Sequence, residues 1–236
     1  MDMDAATHGE PRTALVTGAT KGIGRELVRQ LTGRGLRVYA TGRDEVGLAA
    51  LIAETGCVGS VCDLAEANAV IHLYASAREA LGQVHVLVNN AGFNHRKSLL
   101  ADSELAEFEA QYAVNLRAPY LLCREALNEM APRKSGHLIN VNSTCALFAN
   151  ETMGVYTTMK SGLKGLTGVL IKEARRHQIK VTGVYPGGVN TSFREADRPD
   201  YLMPESVAAM IVNAIFSPAD VVIHELTFRP FVETNF

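Results

Sequence analysis

The sequence predicts a doubly wound α/β fold, a seven-stranded and mostly parallel sheet with helices on both faces. Three observations carry this. From Thr13 onward, short apolar runs alternate with longer amphipathic ones. The short runs are continuously apolar, as strands buried on both faces are, rather than alternating as half-exposed strands do. A glycine-rich turn directly after the first strand argues against the competing barrel layout, and right-handed crossovers then wind the helices over both faces.

The elements follow in order. Thr13–Thr17 (TALVT) reads as a buried strand, followed by the glycine turn and a helix to about residue 34. Residues 37–41 (RVYAT) read as the second strand, with a helix from Glu45. Residues 57–62 (CVGSVC) form the third, where Cys57 and Cys62 read as buried strand residues. A helix over 66–81 leads to a fourth strand at 84–88 (VHVLV), where His85 reads as a strand-end or core histidine. Two helices are expected around 102–111 and 112–130, then a fifth strand at 137–142 (HLINVN). A long helix is expected over 155–176, with Leu163, Leu166 and Leu170 making one face apolar, and the last two strands at 180–185 (KVTGVY) and 221–228 (VVIHELTF).

At 236 residues the chain can bury a full core, and neither a linker nor a repeat divides it. We therefore expect one domain over 12–236, preceded by a polar, acidic and frayed tail at 1–11. An apolar share of 47% with 20% charged residues is that of an ordinary globular protein. A net charge of −2 gives no electrostatic basis for binding nucleic acid or an anionic membrane surface. No apolar run approaches the roughly 20 residues that span a bilayer. Four cysteines without a C-x-x-C pair point to a reducing, cytoplasmic setting. The seven histidines are not spaced as metal ligands, so no metal is expected.

Chemistry concentrates in three places. The turn Thr17-Gly18-Ala19-Thr20-Lys21-Gly22-Ile23-Gly24 lies between strand and helix. Glycines there let the backbone approach a pyrophosphate, whose charge suits the helix N-terminus. At the end of the second strand, an acid would bind the ribose hydroxyls of NAD and an arginine the 2′-phosphate of NADP. Gly42 stands where the acid would be, Arg43 follows, and Lys21 adds a second positive charge; Asp44 reads as the cap of the next helix. NADP(H) is therefore favoured over NAD. Finally, Tyr156 and Lys160 stand one helical turn apart on one face. A phenol of pKa about 10 is a poor acid or base at neutral pH, and a neighbouring ammonium favours its ionised form. Ser143 supplies a hydroxyl for a substrate oxygen.

With Asp63 after the third strand, Asn89-Asn90-Ala91-Gly92 after the fourth, Asn115 and Pro186-Gly187, these motifs occur in an order that resembles the short-chain dehydrogenase/reductase family, from Thr13 almost to the end. The resemblance implies a Rossmann fold and a role for each matching position. Asp63 would meet the adenine amino group and Leu64 pack on the ring. Gly18, Thr20, Gly22, Ile23, Gly24, Asn90, Ala91, Gly92, Pro186, Gly187 and Val189 would line the cofactor, with Thr191 at the nicotinamide carboxamide. Tyr156 would be the general acid in reduction and the general base in oxidation, and Ser143 would hold the substrate oxygen. Lys160 would lower the tyrosine pKa and hold the nicotinamide ribose, while Asn115 would bend its helix and share a water chain with Lys160.

Position alone makes Asn94, His95, Cys145, Phe148, Gly188 and Phe193 candidates for contact with substrate, and Tyr185 a further one. Three departures stand out. Thr182 replaces a frequent asparagine; the stretch between Thr191 and Pro204 is short where many relatives carry a longer lid; and the 225–230 ending lacks the glycine-rich form of typical 3-oxoacyl-carrier-protein reductases. The expected activity is NADP(H)-dependent interconversion of a ketone and a secondary alcohol. NAD-linked alcohol dehydrogenation, 3-oxoacyl thioester reduction and a non-catalytic nucleotide sensor are the alternatives. The helices bearing Asn115 and Tyr156 would pack between subunits of a homodimer or homotetramer.

Overall fold

The computed structural model describes residues 12–191 and 197–234. The tail expected at 1–11 and the candidate Phe193 lie outside the described residues. Seven strands form one sheet in the order β3-β2-β1-β4-β5-β6-β7: β1 (Thr13–Thr17), β2 (Arg37–Gly42), β3 (Val58–Val61), β4 (Val86–Asn89), β5 (His137–Val141), β6 (Lys180–Pro186) and β7 (Glu225–Phe228). All six pairings are parallel, so the sheet is wholly rather than mostly parallel. The connecting helices are α1 (Gly22–Gly33), α2 (Glu45–Thr55), α3 (Ala67–Leu81), α4 (Leu105–Tyr112), α5 (Ala118–Arg133), α6 (Gly154–Arg175) and α7 (Pro204–Ile215).

Helices cover both faces because the strands alternate between two apolar layers. Ala14 and Val16 of β1 and Val86 and Val88 of β4 point into one layer, with Leu27, Val28 and Leu31 of α1 and Val207, Ile211 and Val212 of α7. Leu15 and Leu87, one residue out of phase, point into the other, against Leu73 and Tyr74 of α3 and Leu122 and Met130 of α5. A strand residue period of two on a sheet buried from both sides thus appears in sequence as an unbroken apolar run.

Three expectations are corrected, and one helix is added. The last strand begins at Glu225 rather than at residue 221, because pairing with β6 starts at Gly183 opposite Glu225, and Val221 and Val222 are exposed. The helix α7 was not anticipated. Cys57 and Cys62 are buried but flank β3, whose own valines, Val58 and Val61, are exposed on an edge strand. Leu163 and Leu170 are buried within the chain and Leu166 packs on the α3–α5 layer, so these leucines of α6 face the chain's own sheet. Asp44 caps α2 as expected, its Oδ1 accepting the Gly47 N–H at 3.0 Å. His85 sits immediately before β4, half-buried, with Nδ1 2.7 Å from Thr13 Oγ1.

Candidate active site

The strand order reverses between β1 and β4, and a cleft of about 510 Å³ opens at the carboxyl ends of the strands there, the crevice where open α/β sheets bind ligands. Its floor is the glycine turn. Gly18 has φ +65°, and a Cβ on it would lie 2.8 Å from Ala91 Cα. A Cβ on Gly24 would lie 2.1 Å from the Gly18 carbonyl oxygen. The turn is held against the fourth strand by a reciprocal pair. Thr17 Oγ1 accepts the N–H groups of Asn90 and Ala91, each at 3.0 Å, while Asn90 Nδ2 donates to Thr17 O at 2.9 Å. Backbone and short side chains alone fill this space, which leaves the start of α1 open to the cleft.

At one end the cleft is bordered by Thr20, Lys21, Gly42 and Arg43, and beside them by Asp63 and Leu64. Lys21 and Arg43 are exposed cations, and no acid stands at Gly42. A Cβ at Gly42 would lie 2.7 Å from Thr20 Cγ2, so the absence of a side chain there is also required by packing. Asn90, Ala91, Gly92, Pro186, Gly187, Val189 and Thr191 line the middle, with Gly22 and Ile23 across from them.

At the other end stand Ser143, Tyr156 and Lys160. Lys160 is buried, its Nζ donating to Val141 O at 2.9 Å and lying 5.7 Å from the centroid of the Tyr156 ring. Burial pushes the Lys160 ammonium down to about 8. Ser143 Oγ accepts the Cys145 N–H at 3.2 Å. Asn115, fully buried, occupies a π-helical turn (Ala113–Arg117) between α4 and α5. Its side chain grips the backbone of Phe93 twice: Oδ1 accepts the Phe93 N–H at 3.0 Å and Nδ2 donates to Phe93 O at 2.8 Å. A Cβ on Gly92 would fall 2.7 Å from Asn115 Oδ1 and 3.5 Å from Lys160 Nζ, which brings these two side chains to the same point of the chain.

Of the substrate candidates, Asn94 and Cys145 line the cleft. His95 is exposed in the loop after Gly92. Phe148 stacks under the Arg229 guanidinium, 5.4 Å from its ring centroid, and the Gly188 N–H is bound to Glu233. Tyr185 is buried in the sheet. Cys62, Phe93, Val114, Asn142 and Met153 also line the cleft and were not anticipated. Each neighbours a motif residue in sequence, except Met153, which sits one turn before Tyr156; adjacency was the only signal for them.

The family model described as short chain dehydrogenase matches residues 12–202. The chain belongs to the short-chain dehydrogenase/reductase family. Among relatives of this family, a bovine (Bos taurus) 3-oxoacyl-[acyl-carrier-protein] reductase is 33% identical, covering 77% of each chain. A metagenomic short-chain oxidoreductase solved in complex with NADP is 32% identical, with a TM-score of 0.85 over 96% of this chain and 100% of that one. Serine dehydrogenase from Escherichia coli is 26% identical, with a TM-score of 0.86 over 94% and 99%.

Proposed function

We propose that the chain is an NADP(H)-dependent oxidoreductase that interconverts a ketone and a secondary alcohol. The observation that carries the proposal is the convergence of Ser143, Tyr156 and Lys160 at one end of the cleft, with Asn115 meeting Lys160 at Gly92, while the other end carries Lys21 and Arg43 and a glycine rather than an acid at position 42. The cleft residues fit a dinucleotide. The cradle at Gly18 and Gly24 has no room for a Cβ, leaving backbone N–H groups at a helix N-terminus for the pyrophosphate. Lys21 and Arg43 would hold a 2′-phosphate, and the NADP bound to the metagenomic relative supports that choice. Asp63 and Leu64 would take the adenine, and Thr191 the carboxamide.

Bound, the nicotinamide supplies or accepts the hydride. The chain manages the proton. Ser143 Oγ already accepts the Cys145 N–H, so its own O–H is the group that donates to a substrate carbonyl oxygen. Tyr156 then delivers a proton to that oxygen as the carbonyl carbon is reduced, and takes it back in oxidation. Lys160, as an ammonium, favours the tyrosinate left after transfer and would also hold the nicotinamide ribose. Asn115, by fixing Phe93 and Gly92, positions the wall opposite. Reduction is the expected physiological direction, because cells keep NADP largely reduced.

Two further assignments accompany this. Four free cysteines, three of them buried, support a reducing, cytoplasmic setting; no helix among the described residues is long and apolar enough to cross a membrane. The exposed apolar side chains of α4 and α5 support self-association as a homodimer or homotetramer.

The test is Tyr156→Phe assayed with ketones, quinones, 3-oxoacyl thioesters and polycyclic ketones. We expect kcat/KM with NADPH to exceed that with NADH in the native chain. The variant should lose about 10²–10⁴-fold in kcat, the usual worth of general acid catalysis, while still binding NADPH. Undiminished turnover by the variant would remove Tyr156 from the mechanism, and a preference for NADH would remove Arg43 and Lys21 from cofactor choice.

A further inference from the structure

Beyond β7 the chain does not simply trail away. It turns at residues 230–233, the Glu233 N–H donating to Pro230 O at 3.2 Å, and brings the Glu233 carboxylate back to the end of β6. There Oε1 accepts the Gly188 N–H at 2.9 Å, and Oε2 accepts Arg229 Nε at 3.0 Å. The two side chains are 17% and 8% exposed, so the pair is largely shielded from water. The Arg229 guanidinium in turn lies over the Phe148 ring, in the segment that follows Ser143. The approach is close: a Cβ on Gly187 would lie 2.4 Å from Glu233 Oε2, and one on Gly188 would lie 2.9 Å from Oε1 and 2.3 Å from Tyr201 Cε2. Neither glycine belongs to a turn that needs positive φ; room for the carboxylate and the Tyr201 ring is what they provide.

From these contacts we infer that Glu233 is a positioning residue, a latch that fixes the 186–191 loop over the cleft and thereby sets affinity for the nicotinamide cofactor. The inference rests on the NADP(H) reading above. Gly188 is held from behind while its neighbours Pro186, Gly187, Val189 and Thr191 face the cleft. Thr191 reaches across to the glycine turn, so that a Cβ on Gly22 would meet its Cγ2 at 3.1 Å. Gly187 N–H also donates to Phe228 O, and Gly188 O and Asn190 N–H bond Leu202, so releasing the Gly188 N–H frees one side of the stretch that bridges both walls of the cleft and leaves the other tethered. The residues after β7 belong to neither apolar cluster, so the latch can be removed without disturbing the core.

The test is titration of NADPH and of NADH by cofactor fluorescence against the native chain, Glu233→Ala and Glu233→Gln, with Tm recorded for each. Glu233→Ala should weaken NADPH binding on the order of tenfold, the low end of the worth of one hydrogen bond with a charged acceptor. Its Tm should fall by several degrees, because a largely shielded ion pair is lost with it. Glu233→Gln, whose amide oxygen still accepts the Gly188 N–H, should stay within about twofold of the native chain. Native affinity in Glu233→Ala, or equal losses in the Ala and Gln variants, would overturn the latch. If the native chain bound neither cofactor, the functional reading would fail, and the latch with it.

Discussion

Lys160 shows at the scale of one residue how a buried charge is set against stability. Its ammonium is fully enclosed, holds one backbone carbonyl at 2.9 Å, and has its pKa pushed from 10.5 down to about 8 by burial. A depression of that size corresponds to about 3 kcal/mol, set against the charged form of the folded protein. Below pH 8 both folded and unfolded chains carry the proton, and the folded state bears the whole cost. Between about pH 8 and 10.5 the unfolded chain binds the proton and the folded chain does not, so stability from this site rises with pH. Lys160→Met should therefore be more stable than the native chain at pH 7, by up to about 3 kcal/mol less whatever the lost Val141 bond contributes. The gap should shrink as pH is raised from 8 toward 10. Urea unfolding at pH 7 and pH 9.5 measures it, and a gap that stayed constant or widened would mean that the lysine is not held against its charge. The same variant should be inactive, since no cation remains to favour the tyrosinate.

At the scale of elements, two of the three glycines of α1 have opposite roles, which makes it the place to test the glycine turn. Gly24 has the Gly18 carbonyl oxygen where a Cβ would go, 2.1 Å away, whereas Gly33, in the last turn of the same helix, has nothing within 4 Å. Gly33→Ala should stabilise the chain by about 0.5–1 kcal/mol, through helix propensity and a less flexible unfolded state. Gly24→Ala forces the turn apart and should destabilise it by about 2 kcal/mol or more while abolishing cofactor binding; equal effects of the two substitutions on thermal unfolding would show that the turn is not tightly held. The sequence made this element legible because a strand, three glycines and a helix adjoin each other locally. The same holds for β1, β2, β4, β5 and β6, whose apolar runs are continuous, and for Tyr156 and Lys160, whose spacing is helical. Elements decided at longer range were less legible. Val221 and Val222 resemble a strand but have no partner on β6, so pairing begins only at Glu225. The α7 segment carries Pro204 at its start and Val207, Ile211 and Ile215 at helical spacing, so the helical signal is present in the sequence. The π-turn around Asn115 depends on its grip on Phe93, 22 residues away, and the Glu233–Gly188 contact spans 45. No local pattern encodes either.

For the whole molecule, the two faces of the sheet are closed by helices, yet apolar surface remains outside. On α4, Leu105, Phe108 and Tyr112 recur at helical spacing and are 73%, 41% and 41% exposed; Tyr120 on α5 is 48% exposed. A helix stripe of this kind facing water is what a subunit interface presents before association. The leucines of α6, by contrast, are consumed by the chain's own core, so the association we propose uses the exposed side chains of α4 and α5, and on α6 Val169, 53% exposed, rather than the leucine stripe. This location also bears on the cleft. The α4 helix runs into the π-turn that holds Asn115, so a partner resting on α4 and α5 would buttress the element that fixes Phe93 and Gly92. In sedimentation velocity the native chain should run as a dimer or tetramer. Phe108→Glu combined with Tyr112→Glu places two charges in the stripe and should shift it to a smaller species, with a Tm that becomes independent of protein concentration. A native monomer, or a double variant that kept its native assembly, would show that these side chains are ordinary exposed surface. If the variant dissociates and loses turnover more than NADPH affinity, association supports the catalytic wall at Asn115 rather than the cofactor cradle, since the cradle at Gly18–Gly24 is built from β1, α1 and β4 within one chain.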